Sequence, residues 1–503
     1  MSNKRDLKAY VRYDGNGRAV PGGLILNRFK PGVGNWKETA AYECCNQTTA
    51  CSFWINQIVN PEDVDSLSAI GSGIDSNNNS FLVSGNFWTN PNNPNTSSGG
   101  CGLLQKFSCD GSLLWEKAFD FSENFTTFSY IEPATLSVDK ENNVIVPLLI
   151  TINSPFSIYV GVTKFDNDGN QLWSMYLPID TSVYNLNNRE ILFDIKYDSS
   201  NNIYLCDFFG DDVNVLVINK ISPSGTLLAR KYIETVTGFT NAYININSSN
   251  DLYVWGDSGS GKFYIIKLDQ NLNEIWAKTF DGSLYTGGGV VFDSQENIVV
   301  HLGGYISNNS GNLPDAGSYI KISPAGSVVG TVRLSNVTDP DLYLGTLQMD
   351  SDSQGNVYIS SYYPSSIPGY SAPANTFFVI AKISSTGIFE WAYALNAPED
   401  VYLGGYYWYC SIAGKLVNDS LVLGYYDTYD PFRAQLFKLP LTPLAQGTYG
   451  DYIVTDITSL WTQSSPSVTL SDATITYNDG STDYELLTYL GFAQTSTITN
   501  TPL

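Results

Sequence analysis

At 503 residues the chain exceeds one compact core, so several structural units or one large repeat architecture are expected. A formal charge of −23 argues against a grip on phosphate backbones, and 43% hydrophobic content is too high for a disordered chain. No apolar run approaches the ~20 residues of a membrane span, and one histidine with three methionines leaves little for the commonest catalytic and metal chemistries.

Residues 1–51 come first. The opening Met1-Ser-Asn-Lys-Arg-Asp-Leu has no apolar h-region, so no secretion signal is recognised. Eight Lys/Arg face four acids within residues 1–50, a net +4, which leaves −27 on the rest of the chain. A basic arm on an acidic body predicts a docking segment for an acidic surface, with Lys8, Arg12, Arg18, Arg28, Lys30 and Trp36 as its candidates. Pairing with its own body is the bland alternative. Cys44, Cys45 and Cys51 cluster without a nearby histidine, an incomplete zinc site, and seven cysteines in all suit no disulfide scaffold. No metal and no cofactor are expected.

Phe53-Trp54-Ile55-Asn56-Gln57-Ile58-Val59 reads as a lone strand with no hairpin partner. After it the chain repeats. Leu104-Gln-Lys-Phe-Ser-Cys-Asp-Gly-Ser-Leu-Leu-Trp115 returns as Val162-Thr-Lys-Phe-Asp-Asn-Asp-Gly-Asn-Gln-Leu-Trp173. Its lysine recurs at Lys106, Lys164, Lys220, Lys267, Lys321, Lys382 and, degraded, Lys438, at spacings of 58, 56, 47, 54, 61 and 56.

Five residues on stands Gly111, Gly169, Gly225, Gly326 or Gly387, a residue suited to the positive φ of a tight turn. Nine residues on stands Trp115, Trp173, Trp276 or Trp391, with Ala229, Gly330 and Gly447 elsewhere. Upstream lies Asp-x-x-x-Asn before a strand: Asp139…Asn143, Asp198…Asn202, Asp293…Asn297 and Asp352…Asn356. Asp75…Asn79 has its strand offset by one residue, and Asn247…Asp251 swaps the polar pair. Asx side chains bonded to backbone would hold that second turn.

Two hairpins per repeat make four strands, and seven such repeats predict an all-β, seven-bladed β-propeller of four-stranded blades. The Trp ring would fill the wedge between blades, and each repeat Lys would lay its stem along a neighbour and bond to a carboxylate or carbonyl. Pro440, Pro443 and Gly447 spoil the last strand of the seventh repeat, so the Trp54 strand is expected to complete that blade. The domain reading is 1–51 docking arm, 52–455 propeller and 456–503 small β-rich C-terminal appendage. In the appendage, Ser467-Val-Thr-Leu, Ala473-Thr-Ile-Thr-Tyr and Tyr484-Glu-Leu-Leu-Thr-Tyr read as strands, the last two flanking an Asn478-Asp-Gly turn.

Catalytic groups are sparse. His301 sits in a strand and reads as packed structure. Neither a Gly-x-Ser-x-Gly elbow nor a phosphate-binding Gly-Lys-Ser/Thr loop occurs. Carboxylates from different blades could serve a glycosidase, but most sit at turns that explain them. Asp350-Ser-Asp-Ser-Gln-Gly-Asn356 has a calcium-loop flavour yet carries Ser361 where a loop glutamate belongs. Tyrosine is the informative excess. Tyr362, Tyr363, Tyr406, Tyr407, Tyr425, Tyr426 and Tyr429 divide between a recognition surface, including stacking on sugar rings, and inter-blade packing.

The Asp-x-x-x-Asn and Lys-x-Asp-x-x-Gly-x-x-x-Trp frames resemble the broad class of bacterial and viral β-propeller repeats over roughly residues 60–445, which speaks to fold and is nearly silent on activity. Lys8-Ala-Tyr-Val-Arg-Tyr-Asp-Gly-Asn-Gly-Arg-Ala-Val-Pro-Gly-Gly-Leu-Ile-Leu, Lys30-Pro-Gly-Val-Gly-Asn-Trp-Lys-Glu and Cys44-Cys45-Asn46 resemble the N-terminal leader of tailed-bacteriophage virion proteins of the marine and crAss-like type. That resemblance implies a non-enzymatic virion component of tail, fibre or capsid, made in the host cytoplasm. Its leader would mount the propeller on other virion proteins in a multi-copy assembly. Host-surface glycan is a further expected partner; nucleic acid and membrane are not. A carbohydrate-binding receptor-recognition propeller and a polysaccharide-degrading glycosidase or lyase are the alternatives.

Overall fold

The computed structural model describes residues 8–13, 19–27, 36–39, 54–59, 67–86, 101–120, 128–133, 135–153, 156–178, 194–209, 215–235, 239, 241–258, 262–281, 290–302, 318–337, 348–363, 377–396, 415–417, 420–427, 433–449, 452–465, 468–479, 484–486, 490–492 and 497–502. The chain forms two compact units, Met1–Cys51 and Ser52–Leu503. In the first, Lys8–Tyr13 is the centre of a three-stranded antiparallel sheet between Ala19–Asn27 and Trp36–Thr39.

The second unit builds one sheet repeatedly. Leu67–Ile74, Ser80–Asn86, Cys101–Phe107 and Leu113–Asp120 lie side by side, antiparallel, from inner to outer strand. The second sheet is Ser137–Val138, Val144–Asn153, Phe156–Phe165 and Gln171–Pro178; the third is Asp194–Tyr197, Ile203–Phe209, Val215–Ile221 and Leu227–Glu234. The fourth is Asn241–Ile246, Leu252–Ser258, Lys262–Leu268 and Glu274–Asp281; the fifth is Val290–Phe292, Ile298–Leu302, Ser318–Ile322 and Val328–Asn336. The sixth is Gln348–Ser351, Val357–Tyr363, Phe377–Ile383 and Phe389–Asn396.

Lys415–Val417, Ser420–Asp427 and Arg433–Pro440 supply three strands of a closing sheet, and Trp54–Val59, from the other end of the unit, supplies its outer strand. The inner strands of the third, fourth, fifth, sixth and closing sheets are successive neighbours, and that of the closing sheet neighbours Leu67–Ile74 of the first. This is an all-β, β-propeller arrangement of small antiparallel sheets.

Among the described residues, each hydrophobic core cluster is shared between two neighbouring sheets. Phe81, Leu104 and Phe119 of the first sheet cluster with Val144, Leu148 and Phe165 of the second. Alternation shares each sheet between two neighbours: Ile203 and Leu205 pack toward the second sheet, while Tyr204 and Cys206 pack toward the fourth. A strand covered on both faces needs apolar residues at every position, which is why Val215–Ile221 reads as a near-continuous hydrophobic run. The outer strand Leu227–Glu234 is covered less: Leu227, Arg230 and Ile233 are buried, Leu228 is exposed and the others are half-buried.

Register explains the repeat frame. The residue nine after each lysine is its cross-strand partner: Lys106 faces Trp115, Lys164 faces Trp173, Lys267 faces Trp276 and Lys382 faces Trp391. Lys438 faces Trp54 rather than Gly447, so the Trp54 strand takes the outer place that the Pro- and Gly-interrupted stretch leaves open. The turn glycines have φ between 80 and 84°, and Leu272 holds the same position at φ 66°. Gly225 is doubly constrained, since a Cβ there would come within 2.8 Å of the Trp173 ring of the preceding sheet.

The C-terminal segment departs from expectation. Among the described residues it forms no separate appendage, and the strands on either side of Asn478-Asp-Gly pair with two different sheets of the ring rather than with each other. Tyr452–Asp456 pairs with the outer strand of the sixth sheet, Trp461–Ser464 with the fifth, Ser471–Asp472 with the fourth and Thr476–Asp479 with the third. Glu485–Leu486 pairs with the second, Leu490–Phe492 with the first and Thr497–Pro502 with Trp54–Val59. Strands of two to six residues cannot build a core alone, and the outer edge of each sheet offers them unpaired backbone groups. Gly447–Tyr449 folds back on Tyr452–Asp456 at the start of this run.

Candidate functional site

The hairpin turns carry a polar arrangement that recurs from sheet to sheet. In each Asx turn one carboxylate oxygen accepts two backbone N–H groups. Asp139 Oδ1 takes those of Glu141 and Asn143 at 2.9 and 2.8 Å, while Oδ2 takes Asn143 Nδ2 at 3.0 Å. The free side of Oδ2 meets the repeat lysine: Lys164 Nζ lies 2.8 Å away, with both side chains buried. Lys106 lies 3.6 Å from Asp75, and Lys321 pairs with Asp293.

The swapped fourth sheet keeps the same charge by another route. Asn247 Oδ1 accepts the turn N–H groups of Ser249 and Asp251, and Asp251 supplies the carboxylate 2.9 Å from Lys267. In the third and sixth sheets a tyrosine hydroxyl, Tyr204 or Tyr358, occupies the Asp oxygen. There Lys220 bonds to the Gln270 carbonyl at 2.7 Å and Lys382 to Glu390 at 2.8 Å.

These groups also latch sheet to sheet. Lys106, Lys321 and Lys438 reach the next sheet's turn carbonyls of Asn167, Ser385 and Cys109. Trp115, Trp173 and Trp276 donate their indole N–H groups to Asn167, Pro223 and Pro324 carbonyls at 3.2, 3.0 and 3.0 Å. Asn142 and Asn250, both at positive φ, accept the Ser76 and Ser199 N–H groups of the preceding sheets. The lysine and tryptophan frames thus serve inter-sheet packing, as the sequence implied. Asp352 makes the same turn bonds as its counterparts, to Gln354 N, Asn356 N and Asn356 Nδ2, so the calcium-like loop is a turn.

Two buried polar groups stand apart. His301 is wholly buried, its ring centroid 4.8 Å from that of Tyr319. Asp207, Asn219 and Arg230 form a chain across three strands of the third sheet: Asn219 Nδ2 donates to Asp207 Oδ2 at 3.4 Å, and Arg230 Nε donates to Asn219 Oδ1 at 2.8 Å. Burial pushes the Asp207 carboxyl well above the usual carboxylate range, with Arg230 opposing it. Sequence reasoning missed this cluster. Its signal is register, since Asn219 and Arg230 flank the Lys220–Ala229 pair and face each other.

Asp207 makes a signed prediction. Its folded-state value lies above the unfolded one, so its contribution is full below the ordinary carboxylate range and falls as pH rises toward the raised value. Asp207→Asn removes that decline. Denaturant unfolding should show the variant gaining steadily on the native chain as pH rises from 4 to 8. A constant difference across that range would contradict the buried-carboxylate account. Asp293 acts in the opposite sense: burial would raise it, but bonds from Lys321 and Asn297 hold it low, so its support is lost as pH falls below the carboxylate range.

Of the docking candidates, Lys8 and Arg12 lie on Lys8–Tyr13 and Trp36 begins Trp36–Thr39 opposite Arg12. Arg18, Arg28 and Lys30 lie outside the described residues. Of the recognition candidates, Tyr362 and Tyr363 end a strand opposite Phe378 and Phe377, and Tyr425 and Tyr426 lie opposite Gln435 and Ala434. Tyr406, Tyr407 and Tyr429 lie outside the described residues.

A feature the sequence reading passed over is an exposed aliphatic residue eight after the repeat lysine on five consecutive sheets. These are Leu114, Leu172, Leu228, Ile275 and Val329, each 48–54% exposed. Among the described residues no group of three or more His, Cys, Asp or Glu could hold a metal ion, and no helix is long and apolar enough to cross a membrane.

No family model and no curated protein matches the chain. Solved structures do. BBS1N from a complex with ARL6DN is similar at 10% identity and TM-score 0.41, over 78% of this chain and 98% of that one. A member of the duf4221 family from Bacteroides vulgatus aligns at 7% identity and TM-score 0.35, over 81% and 100%. The exotype rhamnogalacturonan lyase YesX aligns at 9% identity and TM-score 0.34, over 86% of each chain.

Proposed function

We propose that this chain is a non-enzymatic structural component of a phage virion, mounted through residues 1–51 and presenting a seven-bladed propeller for protein or host-surface contact. The observation that carries the reading is the division of the chain at Cys51 into a unit with its own sheet and a net +4, and a repeat unit with −27. A small basic module on the same chain as a large acidic one suits attachment to an acidic partner surface. The blade count follows from taking the closing sheet, with Trp54 as its lysine partner, as a full blade.

The turn-face carboxylates and lysines are engaged in holding turns and neighbouring sheets, which suits a scaffold better than a reacting centre. The recurring exposed aliphatics of the outer strands are what such a ring offers to a neighbouring subunit.

The test is incorporation. Phage carrying a chain deleted for residues 1–51 should assemble particles that lack this protein, while the deleted chain still folds by circular dichroism. Normal copy number of the deleted protein in purified particles would sink the docking role.

A further inference from the structure

The C-terminal run keeps step with the ring. In each outer strand, take the residue two beyond the one that faces the repeat lysine. These are Lys278, Lys231 and Met175 in the fourth, third and second sheets, and Asn56 in the closing sheet. Their partners in the C-terminal run are Asp472, Asp479, Leu486 and Asn500. The first three are seven residues apart. Asn500 is two sevens beyond Leu486, and the first sheet, served by Leu490–Phe492, lies between. From the fourth sheet round to the closing sheet each sheet consumes seven residues, whereas sixteen separate Asp456, opposite Tyr393 of the sixth sheet, from Asp472 two sheets on.

The seven divide into two tasks. The last few pair with an outer strand, and those before them cross to the next sheet and fill the groove. Val468 and Leu470, before Asp472, pack on the cluster between the fourth and fifth sheets. Ile475 and Tyr477, before Asp479, pack between the third and fourth, and Tyr484, before Leu486, between the second and third. Val468 and Leu470, and Ile475 and Tyr477, thus hold the third and fifth places of their units, and Tyr484 holds the fifth place of the next, whose third is Thr482. The seventh place matches its sheet. Asp472 forms an ion pair with Lys278 and Asp479 with Lys231, while Leu486 stands opposite Met175.

We propose that the outer rim, from the fourth sheet round to the closing sheet, is a row of strand-addition sites, each taking one seven-residue unit of an extended peptide whose seventh residue addresses it to its sheet. The chain's own C-terminal segment is the occupant. Its final unit lies on Trp54–Val59, the strand that completes the closing sheet, so the strap holds the ring shut at the one place where the chain does not. This reading is independent of the virion role and of residues 1–51.

Amide hydrogen exchange on full-length variants tests it. Deleting Gly480 and Ser481 puts every later unit out of step. Protection should persist at 476–479 and fall at least about tenfold at 485–486, 490–492 and 497–502. Deleting a whole unit, 480–486, restores the step one sheet early. Protection at 490–492 and 497–502 should then persist, and the edge of Trp54–Val59 should lose its partner and exchange faster.

If the two-residue deletion leaves later protection intact, or the seven-residue deletion strips 490–492 and 497–502 as fully, the proposal fails. Addressing has its own test. Asp479→Lys should lower protection at 476–479 by about threefold, and adding Lys231→Asp should restore it. A double variant as unprotected as the single one would overturn the addressing.

Discussion

Asp139→Ala is expected to lower the unfolding free energy by about 4 kcal/mol, read as a shift in denaturant midpoint. The Asp139 carboxylate does three jobs at once. Oδ1 holds the turn through Glu141 N and Asn143 N, Oδ2 fixes Asn143 Nδ2, and the same oxygen neutralises Lys164 at 2.8 Å. The side chains of Lys164 and Asp139 are 3% and 0% exposed, so water cannot replace the carboxylate when it is removed. The ammonium would be left buried and uncompensated, which is the expensive half of breaking such a pair. Lys164→Met alone should cost less, because the carboxylate keeps its turn donors. Asp139→Asn combined with Lys164→Met should recover part of the loss. A cost below about 1 kcal/mol for Asp139→Ala would mean that the latch is solvated and contributes little.

The same residues show why much of the fold was legible in the sequence. Turn chemistry is local. Asp139 and Asn143 belong together because a carboxylate reaches the N–H groups two and four residues on. Lys and Trp nine apart are partners across one hairpin, so their recurrence reports a repeated register. The Trp54 strand could be placed because it carried a frame with nothing to face, while Lys438 faced an unsuitable stretch. The C-terminal strap hid for the converse reason. Its strands are short, their partners lie up to several hundred residues away, and its period of seven is set by the spacing of sheets rather than by its own backbone. A Thr/Ser-rich segment with apolar residues at every second or fifth place looks the same whether it folds on itself or on a ring. Asp207 hid because burial of a carboxylate depends on which strands flank it. The docking and tyrosine candidates rest on residue type alone, and several of them fall outside the described residues.

Phe119→Ala should cost about 4 kcal/mol, and its interaction with Gly102 makes the prediction specific. The two residues face each other across the outer hairpin of the first sheet. Phe119 is wholly buried, and its ring lies over Gly102 so closely that a Cβ there would fall 2.0 Å from the ring tip. Phe165 of the second sheet stands with its centroid 5.6 Å away, so a ring pushed off Gly102 would have to move within a packed cluster. Gly102→Ala should therefore cost about 2–3 kcal/mol by overpacking, although alanine is the better strand residue. In the double variant the clash is gone and the new methyl occupies part of the cavity. The combined cost should fall short of the sum of the single costs by at least about 1 kcal/mol. Additive costs would show that the ring does not rest on Gly102. The wedge between the first two sheets would then be filled by some other side chain.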